Sequence, residues 1–146
     1  MTETTGRWGF ADPGPLREEL TALALAGTKT TTASLYLEYE IDGLTLAEPG
    51  QRDLLVDSAD LPVAIVETVS VRVVRLADVD DEHAVDEGEG YTDAAAFRES
   101  HERYWMESGV VDRVRAHLGD PDWSIDDDTL IVAERFRIAE VLDRSG

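Results

Sequence analysis

The chain has 146 residues, a length that fits one domain able to bury roughly two thirds of its unfolded surface. Its 42% hydrophobic and 31% charged residues suit a folded globular domain, and the absence of cysteine excludes a disulfide framework, a thiolate metal site and a thiol nucleophile, favouring a cytoplasmic home. A net charge of −19 works against non-specific binding to a phosphate backbone, and apolar runs such as ALALA and LIVA are too short to span a bilayer.

A polar N-terminal tail is expected over residues 1–7, a single domain over 8–142 and a short C-terminal tail over 143–146. In "DPGPLREELTALALAG" prolines precede Leu16, Leu20, Leu23 and Ala24 at helical spacing, and Gly27 is a natural stop. The next run, "TTASLYLEYE", alternates Leu35, Leu37 and Tyr39 against Tyr36, Glu38 and Glu40, which predicts a strand. Lys29 falls at this helix-to-strand junction. "RDLLVD" and "LPVAIVETVSVRVVRL", separated by the turn-like Ser58-Ala59-Asp60, predict an antiparallel hairpin.

The acidic "DVDDEHAVDEGEG" at 78–90 and "GDPDWSIDDD" at 119–128 lack the spacing of an EF-hand loop and read as solvated loops or helix starts. Between them, Phe97, His101 and Tyr104 or Trp105 recur at helical spacing up to Gly109, and a shorter helix, "VVDRVRAHLG", follows. The chain closes with the alternating strand "TLIVAERFRIAEVL". Strands in antiparallel-looking pairs with interspersed helices define an α+β fold with a small curved sheet or barrel.

Most catalytic signatures are absent: there is no HExxH, P-loop or GxSxG, and "GEG" at 88–90 follows an acidic stretch rather than a strand. His83, His101 and His117 have no metal-like spacing, and no metal or cofactor is expected. Two features stand out. Lys29 is the one lysine of a chain with twelve arginines, and an ammonium offers a compact, titratable charge that a guanidinium does not. Glu67 lies within "VAIVETVSV", where alternation puts it on the face of Val63, Ile65 and Val69. A carboxylate there is either paired, protonated, exposed to a cavity, or at an edge facing water.

The segments "FADPGPLREELTALALAGTKTTTASLYLEYEIDG", "IVETVSV", "DEGEGYTDAAAFRESHERYW" and "ERFRI", over about residues 8 to 140, resemble the ASCH-domain proteins of the small bacterial YhfF-like branch. The most specific part is a GxKxxT signature met by Gly27, Lys29 and Thr32, with the EGEG stretch from Glu87 to Gly90 and His101 beyond it. The resemblance implies a PUA-like small β-barrel of mostly antiparallel strands with flanking helices, and a cleft lined by the signature. There are departures: Ala11 replaces a usual glycine, Tyr91 and Phe97 replace an aspartate and a tryptophan, and Ser34 stands where many ASCH domains carry an arginine. Without that arginine a cation for RNA phosphates is missing.

In a small ASCH relative that hydrolyses N4-acylated cytidine, the proposed catalytic set is the signature lysine and threonine with a glutamate on a later strand. The resemblance maps these to Lys29, Thr32 and Glu67. Gly27, Ser34, Trp8, Phe10, Glu87, Glu89, Tyr91 and His101 become substrate-binding candidates, with the aromatic rings as stacking surfaces. Lys29 serves either as a base for the threonine hydroxyl or as an oxyanion contact with the glutamate as base. The expectation is an amidohydrolase acting on an acylated nucleoside or nucleobase. The alternative is a non-catalytic binding module for a nucleotide, modified base or RNA, since one fold hosts both.

Overall fold

The structure is a computed structural model describing residues 6–142. Residues 1–5 and 143–146, which hold most of the expected N-terminal tail and the C-terminal tail, lie outside the described residues. Strand β1 is Arg7–Trp8, so the last residue of the expected tail already pairs in the sheet. Helix α1, Pro15–Leu25, starts with proline in its first turn, where no N–H is needed, and ends in a turn at Gly27 with φ of 80°.

β2 spans Thr31–Leu35 only. The expected strand through Glu40 is corrected here: Tyr36–Asp42 forms helix α2, closed by Gly43 in the left-handed conformation. Leu37 and Ile41, four residues apart, pack on one side against the core around Phe97, a helical spacing that overrides the apparent alternation. The expected hairpin is present as β3, Arg52–Val56, and β4, Pro62–Arg75. Within the acidic run at 78–90, Asp80 caps helix α3, Asp81–Asp86, by accepting from His83 N at 2.8 Å. Helices α4, Ala94–Glu107, and α5, Val110–Leu118, and the strand β5, Leu130–Val141, follow as expected.

The sheet order is β1-β3-β4-β5-β2, with β1 parallel to β3 and the other pairs antiparallel. This is an α+β fold with a five-stranded mixed sheet whose edges β1 and β2 do not join, so the expected barrel is not closed. The sheet is nonetheless strongly curled. The rings of Trp8 in β1 and Phe136 in β5 are 5.5 Å apart, although three strand spacings of ~4.8 Å would separate them on a flat sheet. Register shifts at Ile65/Val66 and Thr68/Ser70 in the long β4 supply the bend.

Two cores result. One joins Leu35 and Ile131 to Phe97, Trp105 and Val114 of the helices; the other packs Phe10, Leu20 and Ala24 on Val66 and Phe136. Between them, at the β2 edge, the chain leaves a cavity. Among the described residues no helix is long and apolar enough to cross a membrane.

Candidate functional site

Four hydrogen bonds, three of them from backbone N–H groups, fix the 28–31 segment that carries Lys29. Thr28 N and Lys29 N both donate to Leu23 O at the end of α1, Thr30 N donates to Asp86 O at 2.8 Å, and the Thr31 hydroxyl donates to His83 O at 2.9 Å. The loop after α3 then folds directly onto this segment. Gly88, with φ of 71°, lies so close that a β-carbon would stand 2.5 Å from Thr28 O, which explains the first glycine of EGEG. Its neighbours Glu87 and Glu89 are thereby placed on either side of the lysine.

Lys29 is 1% exposed. Its ammonium donates to Thr31 O at 2.8 Å, to Glu87 Oε1 at 2.8 Å and to Glu89 Oε2 at 3.1 Å, with Glu87 O at 3.3 Å, so each of its three hydrogens has an acceptor. Glu87, equally buried, also accepts from His83 Nε2 at 2.7 Å. Burial opposes the charge of Glu87, but the hydrogen bond from His83 and the charges of Lys29 and the histidines outweigh it and hold the carboxyl at about 2. Glu89 moves the other way: burial and the neighbouring Glu87 push its carboxyl up, against the pull of Lys29. Two carboxyls around one ammonium are thus split into a fixed anion and a group that more readily carries a proton, the arrangement acid–base chemistry requires.

The cavity beside them has a volume of about 370 Å³, and Lys29, Thr32, Ser34, Glu87, Glu89, Tyr91, His101, Trp8 and Phe10 all line it. His101 stacks on Phe97 at 4.0 Å, and its Nδ1 lies 3.0 Å from the Phe97 carbonyl, which only accepts, so Nδ1 carries a hydrogen, while Nε2 lies 3.9 Å from Glu87 Oε1. Burial lowers the His101 pKa, against the Glu87 charge. The Tyr91 hydroxyl donates to Ser100 Oγ at 2.9 Å. Trp8 and Phe10 pack ring to ring at 4.7 Å, and the Arg17 guanidinium holds their segment by donating to Phe10 O and Ala11 O at 3.0 and 2.7 Å.

Two expected site residues are not brought together with these. Gly27 lines no part of the cavity; it turns the chain out of α1. Glu67 is a correction with a plain cause. In β4 it stands directly between Arg52 of β3 and Arg137 of β5, and accepts from their Nε atoms at 2.8 and 3.0 Å. Those hydrogen bonds, Arg137 first, hold its carboxyl below the usual range, and its face of the sheet is not the cavity's.

Sequence reasoning missed Glu38, Tyr39 and Glu134. The β2–β5 register puts Glu134 directly opposite Thr32, so both side chains leave the same face into the cavity. Glu134 is 9% exposed and accepts from the Tyr39 hydroxyl at 3.3 Å. The one available signal was the alternation of "LIVAERF", which aligns Glu134 with Phe136 and Val132.

The curled open sheet with its flanking helices and lysine-centred cavity is a small α+β fold of the PUA-like kind. The family model of the ASCH domain matches residues 6–140, and the chain belongs to that family. Among solved structures, a protein from Enterococcus faecalis V583 is similar at 23% identity and a TM-score of 0.77, covering 97% of this chain and 80% of that one. An ASCH domain from Lactobacillus crispatus JV V101 is also 23% identical, with a TM-score of 0.75, covering 94% of this chain and 80% of that one. No curated protein matches the chain.

Proposed function

We propose that this ASCH domain is a small-molecule amidohydrolase acting on an acylated nucleoside or nucleobase of the N4-acylcytidine type, with Lys29, Thr32 and Glu89 as the working groups. The observation that carries the reading is the split carboxyl pair around Lys29 in a cavity that also holds Thr32. Glu89 takes the role that the sequence resemblance assigned to Glu67. A finer place in the YhfF-like branch rests on the EGEG stretch, whose glycine and two glutamates build the site.

Because every ammonium hydrogen of Lys29 is donated to an acceptor, Lys29 serves as a cation rather than as a base for the threonine. A water oxygen adds to the acyl carbon and its proton passes to the Glu89 carboxylate. The carbonyl electron pair moves onto its oxygen, which meets the Thr32 hydroxyl and the Lys29 hydrogen released from the 3.1 Å contact to Glu89. Collapse breaks the C–N4 bond as the proton on Glu89 moves to nitrogen, leaving a carboxylic acid and cytidine.

Charge favours a nucleoside over a nucleotide or nucleic acid. Asp12, Glu38, Glu87, Glu89 and Glu134 line the cavity against the single cation Lys29, and Ser34 adds none where an arginine is usual. A phosphate entering there meets repulsion. The test is release of cytidine from N4-acetylcytidine by purified protein, followed by chromatography. Turnover lost in Lys29→Met and Glu89→Gln supports the reading; a folded protein that binds cytidines and hydrolyses none of an acyl-nucleoside panel moves the assignment to the binding module.

A further inference from the structure

The cavity at Lys29 does not end at Glu134. A second chamber of about 480 Å³ adjoins it, and Trp8, Ser34, Glu38, Tyr39 and Glu134 line both, so Glu134 stands in the shared wall. Its Oε1 accepts from Tyr39, whose hydroxyl also lies 3.5 Å from Ser34 Oγ, while its Oε2 accepts nothing among the described residues and has no cation beside it. A largely buried carboxyl with one oxygen open to a cavity presents that oxygen to whatever polar group enters there, water or ligand.

We infer that Glu134 reads the amidine edge of a cytosine-type ring, donating a proton from Oε2 to ring N3 and accepting the N4 hydrogen at Oε1. This rests on the hydrolase reading above and names the part of the substrate that the carboxyl selects. Tyr39 sets the polarity: its hydroxyl donates to Oε1, which leaves Oε2 as the oxygen that carries the proton. Uracil puts an N–H where cytosine has the N3 lone pair, so donor would face donor. An N4-acylated cytosine keeps both N3 and one N4 hydrogen, and the cross-strand pairing of Glu134 with Thr32 brings the acyl carbon on N4 next to the working groups.

Burial favours the protonated carboxyl and so does the charge of Asp53, against the hydrogen bond from Tyr39. Besides tyrosines, the other titratable or charged groups lining the two chambers are Asp12, Lys29, Glu38, Glu87, Glu89 and His101 in the first, and Arg7, Asp42 and Asp53 with Glu38 in the second. The carboxyl must hold a proton in the complex, so affinity for cytidine falls as pH rises through its raised pKa.

Calorimetric titration of the full chain with cytidine and with uridine, at several pH values, tests this. Cytidine should bind about 10- to 100-fold more tightly than uridine. Glu134→Leu should lose that preference, whereas Glu134→Gln, whose amide offers the same donor and acceptor, should keep it and lose the pH dependence. Equal affinity for the two nucleosides, no binding of either at millimolar concentration, a preference retained in a folded Glu134→Leu, or equal loss in both variants would overturn the inference. A cytidine preference without hydrolysis of N4-acetylcytidine removes the hydrolase reading alone. Hydrolysis indifferent to Glu134→Leu removes this inference alone.

Discussion

A β-carbon on Gly88 would stand 2.8 Å from the Cα of Lys29, whereas one on Gly90, two residues on, would meet nothing within 4 Å. The contact is between backbones, so nothing flexible yields. Gly88→Ala should therefore destabilise the fold by ~2 kcal/mol or more, from the positive φ and the clash together, and draw Glu87 and Glu89 away from the lysine. Gly90→Ala is the control: its φ is also positive, but a β-carbon there meets nothing within 4 Å, so only ~1 kcal/mol should be lost. Urea unfolding of the two variants gives the comparison.

Lys29 should prove structural as well as functional. Lys29→Met leaves Glu87 buried without its cation, which should cost about 3–5 kcal/mol, and Lys29→Arg should fare poorly because a planar guanidinium does not reproduce the three hydrogen bonds that the compact ammonium makes. Adding Glu87→Leu to Lys29→Met should recover part of the loss, since the unpaired charge is then gone. A double variant no more stable than Lys29→Met would show that the pair is not energetically coupled.

Acid stability should track Glu87. Its folded pKa of about 2 lies below the unfolded value, so its contribution is complete above the unfolded pKa and disappears as pH falls through about 2. The amount is on the order of 3 kcal/mol, and Glu87→Gln should flatten the stability profile between pH ~4.5 and ~2. Glu134 has the opposite sign: its raised pKa costs stability at neutral pH, so Glu134→Gln should stabilise the protein there. Denaturant midpoints measured across pH separate the two.

Ala11 stands in a backbone conformation that favours glycine. Its φ of 53° is left-handed, a conformation that glycine adopts freely and alanine does not. Ala11→Gly should be neutral or stabilising by up to ~1 kcal/mol, and Ala11→Val clearly destabilising. Thermal unfolding of both variants decides the sign.

Local patterns carried most of the fold. The spacing of Leu20, Leu23 and Ala24, the Phe97–His101–Trp105 stripe and the hairpin around Ser58–Asp60 all reappear where periodicity put them. The helix at Tyr36–Asp42 was hidden because its aromatic and acidic residues also satisfy a two-residue period, and its stop signal, Gly43, lies beyond the apparent strand. Glu67 was misplaced because alternation along β4 says nothing of its cross-strand neighbours, and both arginines that hold it are distant in sequence. The signature lysine and threonine were legible from their motif, and the EGEG glutamates from the family resemblance. Glu134 was not, since only the β2–β5 register reveals that it faces Thr32.

In the proposed mechanism Lys29 and Glu89 work on an acyl group beside Thr32. The most direct measurement is the pH profile of cytidine release from N4-acetylcytidine by wild type, Glu89→Gln, Lys29→Met and Glu67→Gln, with folding of each verified by circular dichroism. Glu89→Gln should lower kcat ~10²–10⁴-fold and remove the acidic limb of the profile, while Glu67→Gln, outside the cavity, should retain wild-type turnover. Loss of activity in folded Glu67→Gln with full activity in Glu89→Gln would rule out Glu89 as the working carboxyl.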